Sequence, residues 1–254
     1  MNQTDLLGLW VGPNRTGEPW ASVCAENGDT WEDLARNIGL SPSEYPNWVK
    51  EGPNLPSTPE KGKVYHVPNT IYAAYNGHFW WAGRMLEQYT RRINDYKEMG
   101  YYVRDDRNGP LASTMLFALL EAWNDQSLQG FYYMGHGYKT YDRIPMRRQV
   151  RRSLFGPPEF VDDVLELPSG SGVIGGGRGL WLPLPGWDPI RPDARKRKDT
   201  WLDDKSVVFF KKYGLAHLRI DACYSRNGDW YKLISNYPKE YVLHEGVYIP
   251  IIGW

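Results

Sequence analysis

From residue 70 onward the chain alternates between two hydrophobic periods, and this constrains its fold more than any other feature. TIYAAYN (70–76) is a short run of β-type residues. FWWAGRMLEQYTRRINDYKEMG (79–100) repeats its apolar positions at three and four, which predicts a helix stopped by Gly100. YYVRDD (101–106) is strand-like, GPLASTMLFALLEAW (109–123) predicts a second helix, and LQGFYYMGHG (128–137) is a strand ending at a histidine between two glycines. SVVFFKKYG (206–214) is apolar and precedes LAHLRIDACYS (215–225), another strand; WYKLISNY and EYVLHEGVYIPIIGW follow. Strands alternating with helices predict an α/β fold with a mostly parallel sheet covered by helices on both faces.

In such sheets, sites form at the carboxyl ends of the strands. His136 and Cys223 both stand at predicted strand ends, so one rim can hold them despite their separation in sequence. A thiol near its ordinary pKa of about 8.5 is mostly protonated at neutral pH and needs a base. A nearby imidazole can take that proton and later protonate a leaving amine, worth roughly 10²–10⁴-fold. The glycines flanking His136 permit a tight turn and leave the ring exposed. The Gly137 and Cys223 amides could together form an oxyanion hole, worth about 3 kcal/mol per donor. Taken singly, a strand-end cysteine reads as buried packing and a His-Gly as a turn; it is the pair that points to chemistry.

FYYMGHG and LRIDACYS together resemble the two blocks of caspase-like cysteine peptidases of clan CD, which include metacaspases and CHAT domains. The first block is a hydrophobic strand with G-H-G, the second a hydrophobic strand with D-x-C-x-S. Tyr224 and Arg226 stand where metacaspases usually carry His and Gly. The resemblance spans about 70–254. It implies a Cys-His endopeptidase with Cys223 as nucleophile, His136 as general acid and base, and the Gly137 and Cys223 amides as oxyanion hole. Asp221, two residues before the cysteine, corresponds to the position lining the pocket for the residue before the cut bond. An acid there implies substrates with Arg or Lys, Arg having the better bidentate geometry. Capping a local turn is the plain alternative for Asp221. The mechanism requires no cofactor and no metal. His66, His78, His217 and His244 lack ligand spacing and read as structural or surface residues.

Ahead of this domain, residues 20–69 form a short unit. WASVCAE reads as a strand and NGD as a turn. Thr30 caps TWEDLARNIG with Asp33 three residues on and Gly39 as a stop. SPSEYPNWVKEG reads as a second helix and KGKVYHVPN as a closing strand. The residues Gly28-Asp29-Thr30, Leu34, Ala35, Gly39, Leu40, Gly62-Lys63-Val64-Tyr65 and Val67-Pro68-Asn69 resemble a LysM domain, a small α+β module of βααβ order. LysM domains commonly bind N-acetylglucosamine polymers. The single copy carries an insert, GPNLPSTPEKG, so glycan binding and simple docking both stay open.

Residues 1–19 read as a tail or linker. NQTDLLGLW, through Asn2, Asp5, Gly8, Leu9 and Trp10, resembles the end of an RHS-repeat core just before a variable C-terminal toxin, with Leu6 at the usual proline. That likeness implies a bacterial effector or toxin payload, with an RHS shell and an immunity protein as candidate partners. An ordinary flexible N-terminus is the alternative.

The insert at about 143–200 is rich in arginine, then glycine, then Pro and Trp, and reads as a surface loop excursion. If the enzyme cuts after basic residues, Arg151, Arg152, Arg195, Lys196, Arg197 and Lys198 become candidate autoprocessing sites. A protein or peptide is the expected substrate. With 30 basic against 30 acidic residues, no global field favours nucleic acid. No run of about 18 apolar residues predicts a membrane span. Two distant cysteines make no disulfide framework. The N-terminus lacks a signal-peptide pattern, so the expected location is cytoplasmic, or outside the cell as an effector exported without one. The runner-up reading is a peptidoglycan-binding module fused to a non-catalytic caspase-like domain.

Overall fold

The computed structural model describes residues 10, 18–38, 40, 48–77, 82–124, 126–139, 144–151, 159–165, 172–175, 201–202, 204–246 and 248. Its main body is α/β. Five strands, β3 (Thr70–Asn76), β4 (Tyr102–Asp106), β5 (Leu128–Gly135), β11 (His217–Asp221) and β12 (Glu240–Val242), form one sheet in the order β4-β3-β5-β11-β12. Every neighbouring pair is parallel. All carboxyl ends therefore share one rim.

Helix α2 (Ala82–Glu98) covers one face. Its Tyr89, Ile93 and Tyr96 are buried against Ile71, Ala73, Tyr132 and Met134. Helix α3 (Ala112–Asn124) covers the other, burying Met115, Leu119, Ala122 and Trp123 with Tyr72, Phe131, Tyr133, Leu218 and Ile220. The short helix α4 (Asp204–Phe209) and a 3-10 turn at Asp229–Leu233 complete that layer through Val207, Trp230 and Leu233. Strands β3 and β5 are buried along their whole length, which explains why their sequences read as continuous apolar runs rather than alternating ones. Gly130 lets β5 and β11 approach closely; a β-carbon there would fall 2.8 Å from the His217 Cβ and 2.4 Å from the Ile71 Cδ1.

The small unit pairs β1 (Trp20–Cys24) antiparallel with β2 (Val64–Pro68) and packs α1 (Trp31–Ile38) against them. Thr30 caps α1: its Oγ1 accepts from the Asp33 amide at 3.1 Å and donates to the Asp33 carboxylate at 2.6 Å. The helix expected over SPSEYPNWVKEG falls mostly outside the described residues. Within them it leaves Trp48 and a 3-10 turn at Gly52–Asn54. The segment read as a linker contributes to this core. Trp10 is 5% exposed, packs on Trp31 and Tyr65, and donates its backbone N–H to Asp29. An indole buries more apolar area than a linker can leave in water, and that burial holds it there.

Part of the insert is built into strands. β7 (Ile144–Arg151) and β8 (Glu159–Leu165) pair antiparallel. The glycine-rich stretch, read as a loop excursion, supplies β9 (Gly172–Gly175). That strand lies between β6 (Gly137–Lys139) and β10 (Trp201–Leu202). Ile174 is fully buried in the main core, and this anchors the strand despite its glycines.

Candidate active site

The site grows from the register of two central strands. β5 and β11 pair Ile220 with Tyr133 and Asp221 with Met134. Continuing one step past both ends sets Gly135–Gly137 alongside Ala222 and Cys223. The approach is direct: a β-carbon on Gly137 would lie 2.2 Å from the Cys223 carbonyl oxygen and 3.0 Å from the Ala222 Cβ. His136, between β5 and β6, is exposed, and its carbonyl accepts from the Tyr133 hydroxyl at 3.1 Å. Gly137 opens β6 opposite Ile174.

β11 ends at Asp221, so strand alternation orders Arg219 and Asp221, while Cys223 lies two residues beyond in a turn. Tyr224 adopts a left-handed φ of 56° there. Ser225 is buried and pins the turn: its hydroxyl donates to the Ile220 carbonyl at 3.1 Å and accepts from the His244 amide at 2.9 Å. Cys223 is half-buried; its Sγ accepts from the Tyr248 amide at 3.3 Å and sits 3.8 Å from the Tyr248 carbonyl oxygen.

Asp221 is 1% exposed and held from two sides. Arg219 Nε donates to one carboxylate oxygen at 2.7 Å, and His244 Nε2 lies 3.0 Å from the other. Arg219 Nη1 also reaches Glu240 at 3.3 Å. Burial works against the Arg219 charge, but Asp221 and Glu240 hold its pKa above the ordinary guanidinium value. Burial would raise Glu240, yet the neighbouring His217, the Tyr96 hydroxyl (2.5 Å) and Arg219 outweigh it and bring Glu240 down to about 2. His217 Nδ1 lies 3.5 Å from that carboxylate, and its Nε2 meets the Tyr101 hydroxyl at 2.9 Å. Tyr248 is pushed up to about 12 by burial and by Asp221.

The charges can be counted. Among the described residues, Asp221 and Glu240 share the cation Arg219, and the nearby Arg92 is matched by Asp95 at 3.4 Å. Each carboxylate also faces an imidazole, His217 beside Glu240 and His244 beside Asp221. The Tyr132 hydroxyl is buried against this cluster and has no hydrogen-bond partner among the described residues.

The fold thus places His136, Gly137, Asp221 and Cys223 on one rim. Of the candidate processing residues, Arg151 closes β7 opposite Glu159, whereas Arg152, Arg195, Lys196, Arg197 and Lys198 lie outside the described residues, as does His78. His66 pairs with Glu51 at the surface of the small unit at 2.6 Å. Two residues of the site, Arg219 and Glu240, were not singled out in the sequence, and His244, read there as structural or surface, lies on the Asp221 carboxylate. The signal for His244 was available, since it follows the last strand of the sheet just as His136 and Cys223 follow theirs. Among the described residues, no group of three or more His, Cys, Asp or Glu side chains could hold a metal ion.

Fold and rim together define a parallel α/β protein with a histidine and a cysteine at the ends of adjacent central strands, an arrangement compatible with a caspase-like core. Comparison with protein-family models, curated proteins and solved structures gives no match.

Proposed function

We propose that the chain is a cysteine endopeptidase that cuts after basic residues. The observation that carries this reading is the seating of Gly137 against the Cys223 carbonyl at the joined ends of β5 and β11. It brings the second residue past one strand to the second residue past the other. In the proposed reaction His136 takes the Cys223 proton and Sγ attacks the scissile carbonyl carbon. The Gly137 and Cys223 amides receive the oxyanion. His136 then protonates the departing amine, and water hydrolyses the thioester. The substrate's Arg or Lys takes the place of His244 on the Asp221 carboxylate, which it shares with Arg219.

The test is a fluorogenic peptide panel varying only the residue before the cut, with wild type beside Cys223→Ala. Cleavage after Arg or Lys that vanishes in the variant supports the reading. Cleavage only after Asp or apolar residues overturns the assigned specificity. The same panel tests self-processing, because fragments that persist in Cys223→Ala come from another protease.

A second reading has one observation in its favour: both Cys223 and Asp221 are engaged by the chain itself. On that reading the caspase-like domain is non-catalytic and the small unit binds peptidoglycan. Retention on peptidoglycan without labelling of Cys223 by an electrophilic Arg peptide would favour it. The effector role, with an RHS shell and an immunity partner, rests on the N-terminal motif alone; co-purification with a shell-forming partner tests it. Among the described residues, no helix is long and apolar enough to cross a membrane.

A further inference from the structure

The segment after β12 returns across the rim. Its His244 carbonyl accepts from the Arg226 amide at 3.0 Å and its Gly246 carbonyl from the Tyr224 amide at 2.9 Å. The Tyr248 amide then donates to the Cys223 sulfur. The segment therefore runs antiparallel to 223–226, contacting the sulfur at one end and the Asp221 carboxylate at the other. The His244 and Tyr248 rings pack with centroids 4.4 Å apart and planes tilted by 39°, so the two contacts brace each other. Outside, Glu245 pairs with Arg226 at 2.7 Å.

We infer that residues 244–246 and 248 form a strap that covers the active site in the resting chain, with the His244 ring on the carboxylate meant for a substrate's basic side chain. This rests on the peptidase reading for what the site accepts. The strap covers both groups the proposed site uses, the Asp221 carboxylate through His244 and the sulfur through the Tyr248 amide four residues on. A ring that carries a positive charge when protonated meets the Asp221 oxygen opposite the one held by Arg219. A main-chain amide caps the nucleophile, and backbone hydrogen bonds hold His244 and Gly246 against Arg226 and Tyr224. A substrate carbonyl reaches Sγ only after Tyr248 leaves it, so the resting chain is latent and opens by release of the strap. Release breaks polar contacts, and none of these four residues belongs to an apolar core cluster, the profile of a local opening short of global unfolding.

The experiment is alkylation of the full chain by iodoacetamide, with Cys223 and Cys24 quantified separately by peptide mass spectrometry. Cys24 lies in the small unit, away from the strap, and serves as internal reference. Because the labelling rate follows the open fraction, His244→Ala and Tyr248→Pro should each raise Cys223 alkylation about tenfold and leave Cys24 unchanged. Wild type labelling Cys223 as fast as both variants overturns the strap. Glu245→Arg, which reverses the exposed outer pair, should raise the rate about twofold; it decides the matter if either inner variant unfolds and raises Cys24 too. Cleavage of an Arg peptide on the same samples separates the two readings. Faster labelling without cleavage keeps the strap and removes the peptidase. Equal labelling with equal cleavage in wild type and variants keeps the peptidase and removes the strap.

Discussion

Gly137 and Cys223 meet backbone against backbone, with room between them for a hydrogen and nothing larger: a β-carbon on Gly137 would fall 2.2 Å from the Cys223 carbonyl oxygen. Because the obstacle is main chain, no rotamer change can relieve it. Gly137→Ala should push the two strand ends apart, cost about 1–3 kcal/mol in stability as an overpacked contact, and remove peptide cleavage more completely than that loss explains. Denaturant unfolding beside the peptide assay checks both; an alanine variant with wild-type activity would contradict the proposed geometry.

Asp221 has a structural and a proposed specificity role, and they separate in a neutral variant. Asp221→Asn keeps the size and leaves Arg219 with Glu240 alone. It should destabilise the fold by about 1–3 kcal/mol, the cost of weakening a hydrogen-bonded charge in a buried place, and cut kcat/KM for Arg substrates by about 10²-fold while sparing uncharged ones. An equal fall across the whole peptide panel would restrict Asp221 to its structural role.

Glu240 makes stability depend on acid. Its pKa drops from 4.5 to about 2 in the folded chain, so the folded state binds the proton less readily than the unfolded one. The stabilisation is complete above about pH 4.5 and is lost as pH falls toward 2; a shift of that size corresponds to about 3 kcal/mol. Urea unfolding at pH 6 and pH 3 should show a smaller difference in Glu240→Gln than in wild type.

Trp10 is the sharpest test of the small unit. Its indole sits in the core with Trp31 and Tyr65 and donates from Nε1 to the Thr30 carbonyl at 3.2 Å. Trp10→Ala should cost about 3–5 kcal/mol, as truncations of large buried aromatics do. Limited proteolysis should then cut first within residues 20–69, with the sheet domain spared; an unchanged cleavage pattern would make Trp10 dispensable.

Tyr132 predicts a change of the opposite sign. Its hydroxyl is buried with no hydrogen-bond partner among the described residues, so Tyr132→Phe removes a desolvated polar group without opening a cavity. Stability should stay level or rise by up to about 1 kcal/mol, read as the midpoint of thermal unfolding. A clear loss would reveal a partner for that hydroxyl.

The strands and helices of the main body were legible because each carries its own period: TIYAAYN, YYVRDD, LQGFYYMG and LRID became β3, β4, β5 and β11, and the two long amphipathic stretches became α2 and α3. His136 and Cys223 were legible as residues just past strands, and parallel strands end on one side. Pairing was beyond local pattern. That β5 lies beside β11 comes from the crossover order, which period and turn residues do not encode, and it decides that His136 and Cys223 follow neighbouring strands on their common rim. The surroundings of Asp221 were decided in the same way. Arg219 is its neighbour along the strand, but Glu240 arrives from the adjacent strand and His244 from the segment beyond it, and both depend on β12 docking at the sheet edge. Trp10 shows the rule from the other side. Its own neighbours read as linker, and only the apolar space between α1 and β2, closed by residues far along the chain, made it core. Sequence by itself determined the elements and the chemistry at their ends, because those depend on neighbours a few positions away. Tertiary structure decided which ends meet and which charges face each other, because such contacts join residues far apart in the chain.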